Sequence, residues 1–161
     1  MKMYGIEMHL PEHKIPGYYS QIVKALASTV NIFDRDKQLV ILKSENELNS
    51  VISLMEKYCL TYECIPLLSL PPNCSLKPSA EDYGFTSLMG NVYLYADMIQ
   101  MFKINDQMPL SIEVTHGLMQ MEEFIVASFQ LSETTIYCIE GHLADTMRGI
   151  AKRYHVTIEF I

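Results

Sequence analysis

Two stretches of the chain carry the same rhythm of apolar and polar positions. Leu39–Ile65 lies over Thr135–Ile161 without a gap, 27 residues on each side. Each stretch predicts a short apolar strand, an amphipathic helix and then an alternating strand. In the first, Leu39-Val40-Ile41-Leu42 is the apolar run, and Ser44 with Glu47 has the spacing of a capping box. Leu48, Val51, Ile52, Met55 and Tyr58 then fall on one helical stripe, and Tyr62, Cys64 and Pro66 alternate with Glu63, Ile65 and Leu67. In the second, Ile136-Tyr137-Cys138-Ile139 is the run and Gly141 breaks it. Leu143, Met147, Ile150, Ala151 and Tyr154 form the stripe, and Val156, Ile158 and Phe160 alternate to the last residue. Asp145 in the first helical turn and Lys152-Arg153 in the last suit the helix dipole. Identity is confined to four pairs: Tyr58 with Tyr154, Thr61 with Thr157, Glu63 with Glu159 and Ile65 with Ile161. The shared pattern weighs more than the identities.

The repeat extends upstream. Ile6–His9 and Ile112–His116 both alternate as strands do. Pro16-Gly17 follows the first and opens a helix with Tyr19, Ile22, Val23, Leu26 and Ala27 on one face; Gly117 follows the second, ahead of a shorter apolar segment, Leu118–Phe129. A turn at Asp34-Arg35-Asp36-Lys37 has its counterpart at Ser132-Glu133-Thr134. The order is β-α-β-β-α-β, which is ferredoxin-like, and right-handed crossovers put both helices on one sheet face. The predicted fold is α+β: two ferredoxin-like βαββαβ-type units in tandem, with antiparallel sheets and helices on one face, the second copy degenerate. The units are expected at residues 1–70 and 91–161. Residues 71–90, with Pro71, Pro72 and Pro78, read as a linker or surface loop. Asn91–Asn105 fits both periods and is read as a short strand followed by a helix.

Composition narrows the class. The 161 residues are 49% apolar and 19% charged, enough for a packed core. The longest apolar stretch, Gly84–Phe102, is broken by Asn91, Asp97 and Gln100, so no membrane span is expected. Glu7 and His9 come too early for a signal peptide, so a cytoplasmic protein is expected. Cys59, Cys64, Cys74 and Cys138 form no CxxC and read as reduced thiols. A net charge of −7 without a basic cluster argues against nucleic-acid binding.

Candidate chemistry is sparse. His9-Leu10-Pro11-Glu12-His13 has HxxEH spacing, but Pro11 breaks the helix a zinc site would need, so no metal and no cofactor are expected. GxSxG, GxxxxGK[ST] and GxGxxG are absent. His116 and His142 stand beside glycines at predicted strand-to-helix junctions, where each is a partly exposed junction residue, a general base or a contact for an anion. His155 falls at a helix end, where it suits the dipole. Met89, Met98, Met101, Met108, Met119 and Met121 read as irregular core, with an adaptable binding surface as the alternative. Glu7, Glu63, Glu113 and Glu159 read as solvent-facing strand residues.

Ile15-Pro16-Gly17-Tyr18-Tyr19-Ser20-Gln21-Ile22, then Ala25-Leu26-Ala27 and Val30-Asn31-Ile32, resembles an ACT domain over about seventy residues. The likeness lies in Pro-Gly at the strand-to-helix turn, an apolar helix and Asn-Ile entering the second strand. The second half keeps only Gly117 of that turn, and Lys14 stands where the family often has an acidic residue. The resemblance implies a tandem regulatory module that binds amino acids or other small ligands, usually at an interface between units.

The same turn is of interest on physical grounds. Pro16 pre-sets a helix start, Gly17 admits close approach to the main chain, and a helix opening favours a carboxylate. Lys14 adds a positive charge nearby. The plainer alternative is that Pro-Gly only makes the turn. The expected function is therefore a non-enzymatic regulatory or sensor module that binds a small carboxylate ligand, for example an amino acid, at a unit or subunit interface. Its expected binding residues are Gly17, Tyr18, Tyr19, Asn31, His116 and Gly117, with no catalytic residue. Assembly as a homo-oligomer or with a partner protein would cover exposed edges and faces. The alternatives are a protein-interaction subunit without a ligand and a small enzyme using His116 or His142.

Overall fold

The computed structural model describes residues 1–9, 16–105 and 111–161. They divide into two compact units: Met1–Ser69 with Thr86–Tyr93, and Leu70–Phe85 with Leu94–Ile161.

The first unit runs β1 (Lys2–His9), α1 (Pro16–Thr29), β2 (Asp34–Asp36), β3 (Leu39–Leu42), α2 (Glu45–Lys57) and β4 (Thr61–Ser69). Strand β1 pairs antiparallel with both β3 and β4, and β2 pairs with β3, giving the order β2-β3-β1-β4. One sheet face bears Ile6, Met8, Val40 and Leu42, and these pack on Ile22 and Leu26 of α1 and on Val51 and Met55 of α2. Period-2 alternation in the strands meets period-3.6 stripes in the helices, and burial of both makes the core. The capping box is formed: Ser44 Oγ accepts the Glu47 N–H at 3.3 Å, and Glu47 Oε2 accepts the Ser44 N–H at 3.1 Å. Beyond α2 the chain turns through Cys59 at φ 53°. The Cys59 N–H donates to the Glu56 carbonyl at 3.0 Å and the Leu60 N–H to the Met55 carbonyl at 2.9 Å, which closes the helix as a Schellman motif.

The second unit contains β5 (Ser75–Leu76), a 3-10 helix (Pro78–Tyr83) and most of β6 (Gly84–Thr86); β7 (Val92–Tyr95) begins in the first unit, and a 3-10 turn (Ala96–Met98) follows. The path then continues through β8 (Ile99–Ile104), α3 (Ile112–Glu122), β9 (Ile125–Leu131), β10 (Thr134–Glu140), a 3-10 turn (Gly141–Leu143), α4 (Ala144–Arg153) and β11 (Ile158–Phe160). Its sheet order, β11-β8-β10-β9-β5, repeats the β4-β1-β3-β2 order of the first unit and adds β5 at the edge. Both units are ferredoxin-like. Phe102, Val114, Met121, Ile139, Met147 and Ile150 form the second core. The end of α4 copies the end of α2: His155 takes φ 55°, and the Val156 N–H donates to the Ala151 carbonyl at 2.9 Å.

Several expectations need correction. Ile112–His116 is the first half of α3, not a strand. Its apolar alternation is local, whereas Ser111 Oγ accepts the Val114 N–H at 3.1 Å and caps a helix whose buried face is Val114, Gly117 and Met121. The counterpart of β1 is β8, so Asn91–Asn105 holds two strands joined by a 3-10 turn and no α-helix. Asp34–Asp36 is strand, and the hairpin turns at Lys37, with φ 49°. Residues 71–90 contain β5, a 3-10 helix and β6 rather than only loop.

Candidate functional site

Helix α1 begins at Pro16, whose fixed φ suits a helical start. Gly17 is exposed, and a Cβ built there meets nothing within 4 Å among the described residues. Packing therefore does not require glycine at this position, and the backbone beside it is approachable. No acidic residue lies in the first turn of α1, whereas α2 has Glu45 and Glu47, α3 has Glu113 and α4 has Asp145. Ser44 and Ser111 cap α2 and α3. Tyr18, half-buried, donates its hydroxyl to the Tyr58 carbonyl at 2.8 Å, and the two rings meet edge-on at 6.3 Å. That bond ties the start of α1 to the end of α2. Tyr19 lies in the first turn of α1.

The remaining expected residues lie elsewhere. Asn31 is exposed, two residues beyond the far end of α1. At 1.5 Å per residue, Gly17 and Thr29 are roughly 18 Å apart along the axis, so one small ligand does not span from Gly17 to Asn31 within the unit. His116 is exposed on α3, and Gly117 is inside that helix rather than at a turn. A Cβ on Gly117 would stand 2.5 Å from Tyr154 Cβ and 3.0 Å from Val156 Cγ2. Gly117 is a packing glycine. His142 sits exposed on a 3-10 turn with Nδ1 3.0 Å from Glu140 Oε1. A hydrogen bond with Glu140 also raises the phenol of Tyr83. His9 ends β1, and the rest of the HxxEH segment lies outside the described residues. Among the described residues no group of three His, Cys, Asp or Glu side chains gathers to hold a metal. The Cys138 thiol is pushed up to about 12, chiefly by burial, which keeps it protonated and unreactive.

Two of the four strand glutamates prove to be opposed: Glu7 faces Glu63 directly across β1 and β4. Glu159 is bridged to Lys103 at 2.9 Å, and Glu113 sits in the first turn of α3, where its charge favours the helix.

One polar constellation escaped the sequence reading altogether. Asp34 is 2% exposed. Its Oδ2 accepts from Ser87 Oγ at 2.6 Å, Asn91 Nδ2 at 2.8 Å and the Tyr93 hydroxyl at 2.8 Å, and its Oδ1 accepts the Arg35 N–H at 2.6 Å. Burial alone would push the carboxyl up. The four donors outweigh burial and hold it below the usual carboxylate range. The Tyr93 phenol is driven up, first by burial and then by the hydrogen bond to this carboxylate. All four of these donors belong to the chain itself, so this charge is a clamp that holds Thr86–Tyr93 within the first unit. Its three side-chain partners stand 53 to 59 residues from Asp34, and no local pattern joins them.

Among the described residues no helix is long and apolar enough to cross a membrane. No protein-family model matches the chain, and no curated protein matches it. A solved structure described provisionally as a glycine cleavage system transcriptional repressor aligns over 99% of this chain and 94% of that one, at 11% identity and a TM-score of 0.24. A likeness of that size carries neither fold nor function, and the assignment of the ferredoxin-like units rests on the strand order described above.

Proposed function

We propose that the protein is a non-enzymatic regulatory or sensor module that binds a small carboxylate, for example an amino acid, at the opening of α1. The observation that carries this reading is the contrast between helix starts. Among the described α-helices α1 has no acid in its first turn, whereas α2, α3 and α4 each have one or two, and no described residue fills the space beside Gly17. The first N–H groups of a helix lack partners within it and sit at the positive dipole end, which suits an anion. The site is the backbone at Gly17 and Tyr19, beside Tyr18; Asn31, at the far end of α1, and Gly117, packed on Tyr154, are left out. Binding regulates by favouring one assembly state, with a second copy or a partner chain, over another.

The test is a thermal-shift series on the full chain with amino acids and other small carboxylates. A ligand present at a hundred times its Kd adds about 2.7 kcal/mol and raises the melting temperature. Gly17→Asp places a carboxylate in the same space and is expected to abolish the response while the fold persists. A response that survives Gly17→Asp puts the ligand elsewhere.

The interaction-subunit reading has one observation of its own. Leu88 and Met89, at the turn of the Thr86–Tyr93 segment, are 87% and 72% exposed. Leu88→Ser with Met89→Ser would dissociate such a complex and leave a ligand response intact.

A further inference from the structure

We propose that the second unit holds a small-molecule site of its own, a cleft beneath α3 that takes a monocarboxylate with an apolar body. This inference does not depend on the α1 reading. The cleft encloses about 460 Å³, inside the usual range for small-ligand sites. Its wall and floor are Ile104, Leu118, Met121, Ile125 and Tyr137, and Lys77 stands at its edge beside β9.

The cleft follows from one glycine. At Gly117 the backbone of α3 rests against Tyr154 and Val156, closer than any side chain would allow. At 100° per residue, Thr115, Met119 and Glu122 lie roughly 140–200° around α3 from Gly117, on the opposite face. Those three residues line the cleft. A helix drawn in toward the end of α4 leaves a gap behind it, on the side of β9 and β5. The matching groove in the first unit, under α1, encloses about 90 Å³. There Ile22, 2% exposed, and Leu26, 3% exposed, fill the space with side chains.

The lining defines the ligand. Apolar groups dominate the floor, so the body of the ligand is apolar. Lys77 is the one cation of the lining among the described residues. Its main chain is pinned by a 2.9 Å bond from its N–H to the Val126 carbonyl. Its Nζ donates to the Glu122 carbonyl at 2.7 Å and stands 3.8 Å from Glu122 Oε1. An ammonium has three donors, and the Glu122 carbonyl takes one. A ligand carboxylate at the edge meets a further donor, with Ser75 and Ser128 hydroxyls in the same lining. Among the described residues Glu122 is the one carboxylate of the lining; it repels a second negative charge and is already engaged by Lys77. The chemistry therefore selects a single carboxylate.

Methyl-resolved NMR of the full chain tests this with 3-phenylpropionate and its uncharged match, 3-phenyl-1-propanol. The expected result is shifts confined to the lining methyls, those of Ile104, Leu118, Met119, Met121, Ile125 and Ala127, with the acid bound about fivefold more tightly than the alcohol. Lys77→Met, at a half-exposed position, should bring the acid down to the affinity of the alcohol. Thr115→Phe, from the exposed face of α3, should fill the cleft and abolish binding of both probes. Gly17→Asp should leave both affinities unchanged. The proposal is overturned if the shifts are absent at millimolar probe, if they appear at the Gly17 and Tyr18 amides instead, if the alcohol binds as well as the acid, or if Lys77→Met changes nothing.

Discussion

The two units trace one path through space yet seat their first helices differently. Each runs βαββαβ in the same strand order, and each closes its second helix with a residue at positive φ, Cys59 in one and His155 in the other. At the first helix they part. Helix α1 spans Pro16–Thr29, presents Ile22 and Leu26 to its sheet and leaves Gly17 in open space. Helix α3 spans Ile112–Glu122 and uses Gly117 to lie against Tyr154. One glycine spends its missing side chain on access to the backbone, the other on helix approach. The same residue type thus serves two purposes, and only the surroundings of each tell them apart.

The clamp at Asp34 belongs to the first unit alone, so breaking it should separate the units most. Asp34→Ala leaves Ser87, Asn91 and Tyr93 donors buried without their acceptor, and a loss of about 3–5 kcal/mol is expected in urea unfolding. A loss under about 1 kcal/mol would mean that the clamp holds nothing. The same group sets a pH dependence. Its folded-state pKa is lowered, so its contribution is fully present above the ordinary carboxylate range and fades as pH falls through the folded value. The stability gap between the natural chain and Asp34→Asn should stay level from neutral pH down to about pH 5 and shrink below about pH 4. A gap that instead widened on acidification would reverse the assignment. Smaller effects come from the caps. Ser44→Ala in the first unit and Ser111→Ala in the second should each cost about 1 kcal/mol. Helix α4 has no side-chain cap on Leu143, so the equivalent substitution there removes none.

Local chemistry was legible in the sequence, and long-range chemistry was not. Ser44 and Glu47 announced α2 because a capping box lies within four residues, and the stripe from Leu48 to Tyr58 is self-sufficient. The second repeat block was readable for the same reason. The start of α3 reads as strand because Ile112, Val114 and His116 alternate with Glu113 and Thr115, whereas the Ser111 cap that fixes the helix is seen only in the structure. Strand β8 was obscured by Met98, Met101 and Phe102, which fit either period; its identity comes from pairing with β10 and β11. Of the expected turn, the helix start at Pro16 is where the Pro-Gly pair predicts it. Gly117 could not be assigned from sequence, since its role depends on Tyr154, 37 residues on in the chain. The Asp34 clamp was invisible for the same reason, and Asp34-Arg35-Asp36-Lys37 carries the composition of a turn whichever way it folds.

Paired urea unfolding of Gly17→Ala and Gly117→Ala on the full chain tests the difference between the two helix seats most directly. Alanine at Gly17 finds open space and should change stability by no more than about 0.5 kcal/mol. Alanine at Gly117 gains helix propensity but drives a Cβ into Tyr154, and a net loss of about 2 kcal/mol is expected. Equal effects at the two positions, or a gain at Gly117, would contradict the account of a helix seated through its glycine and of the cleft behind it.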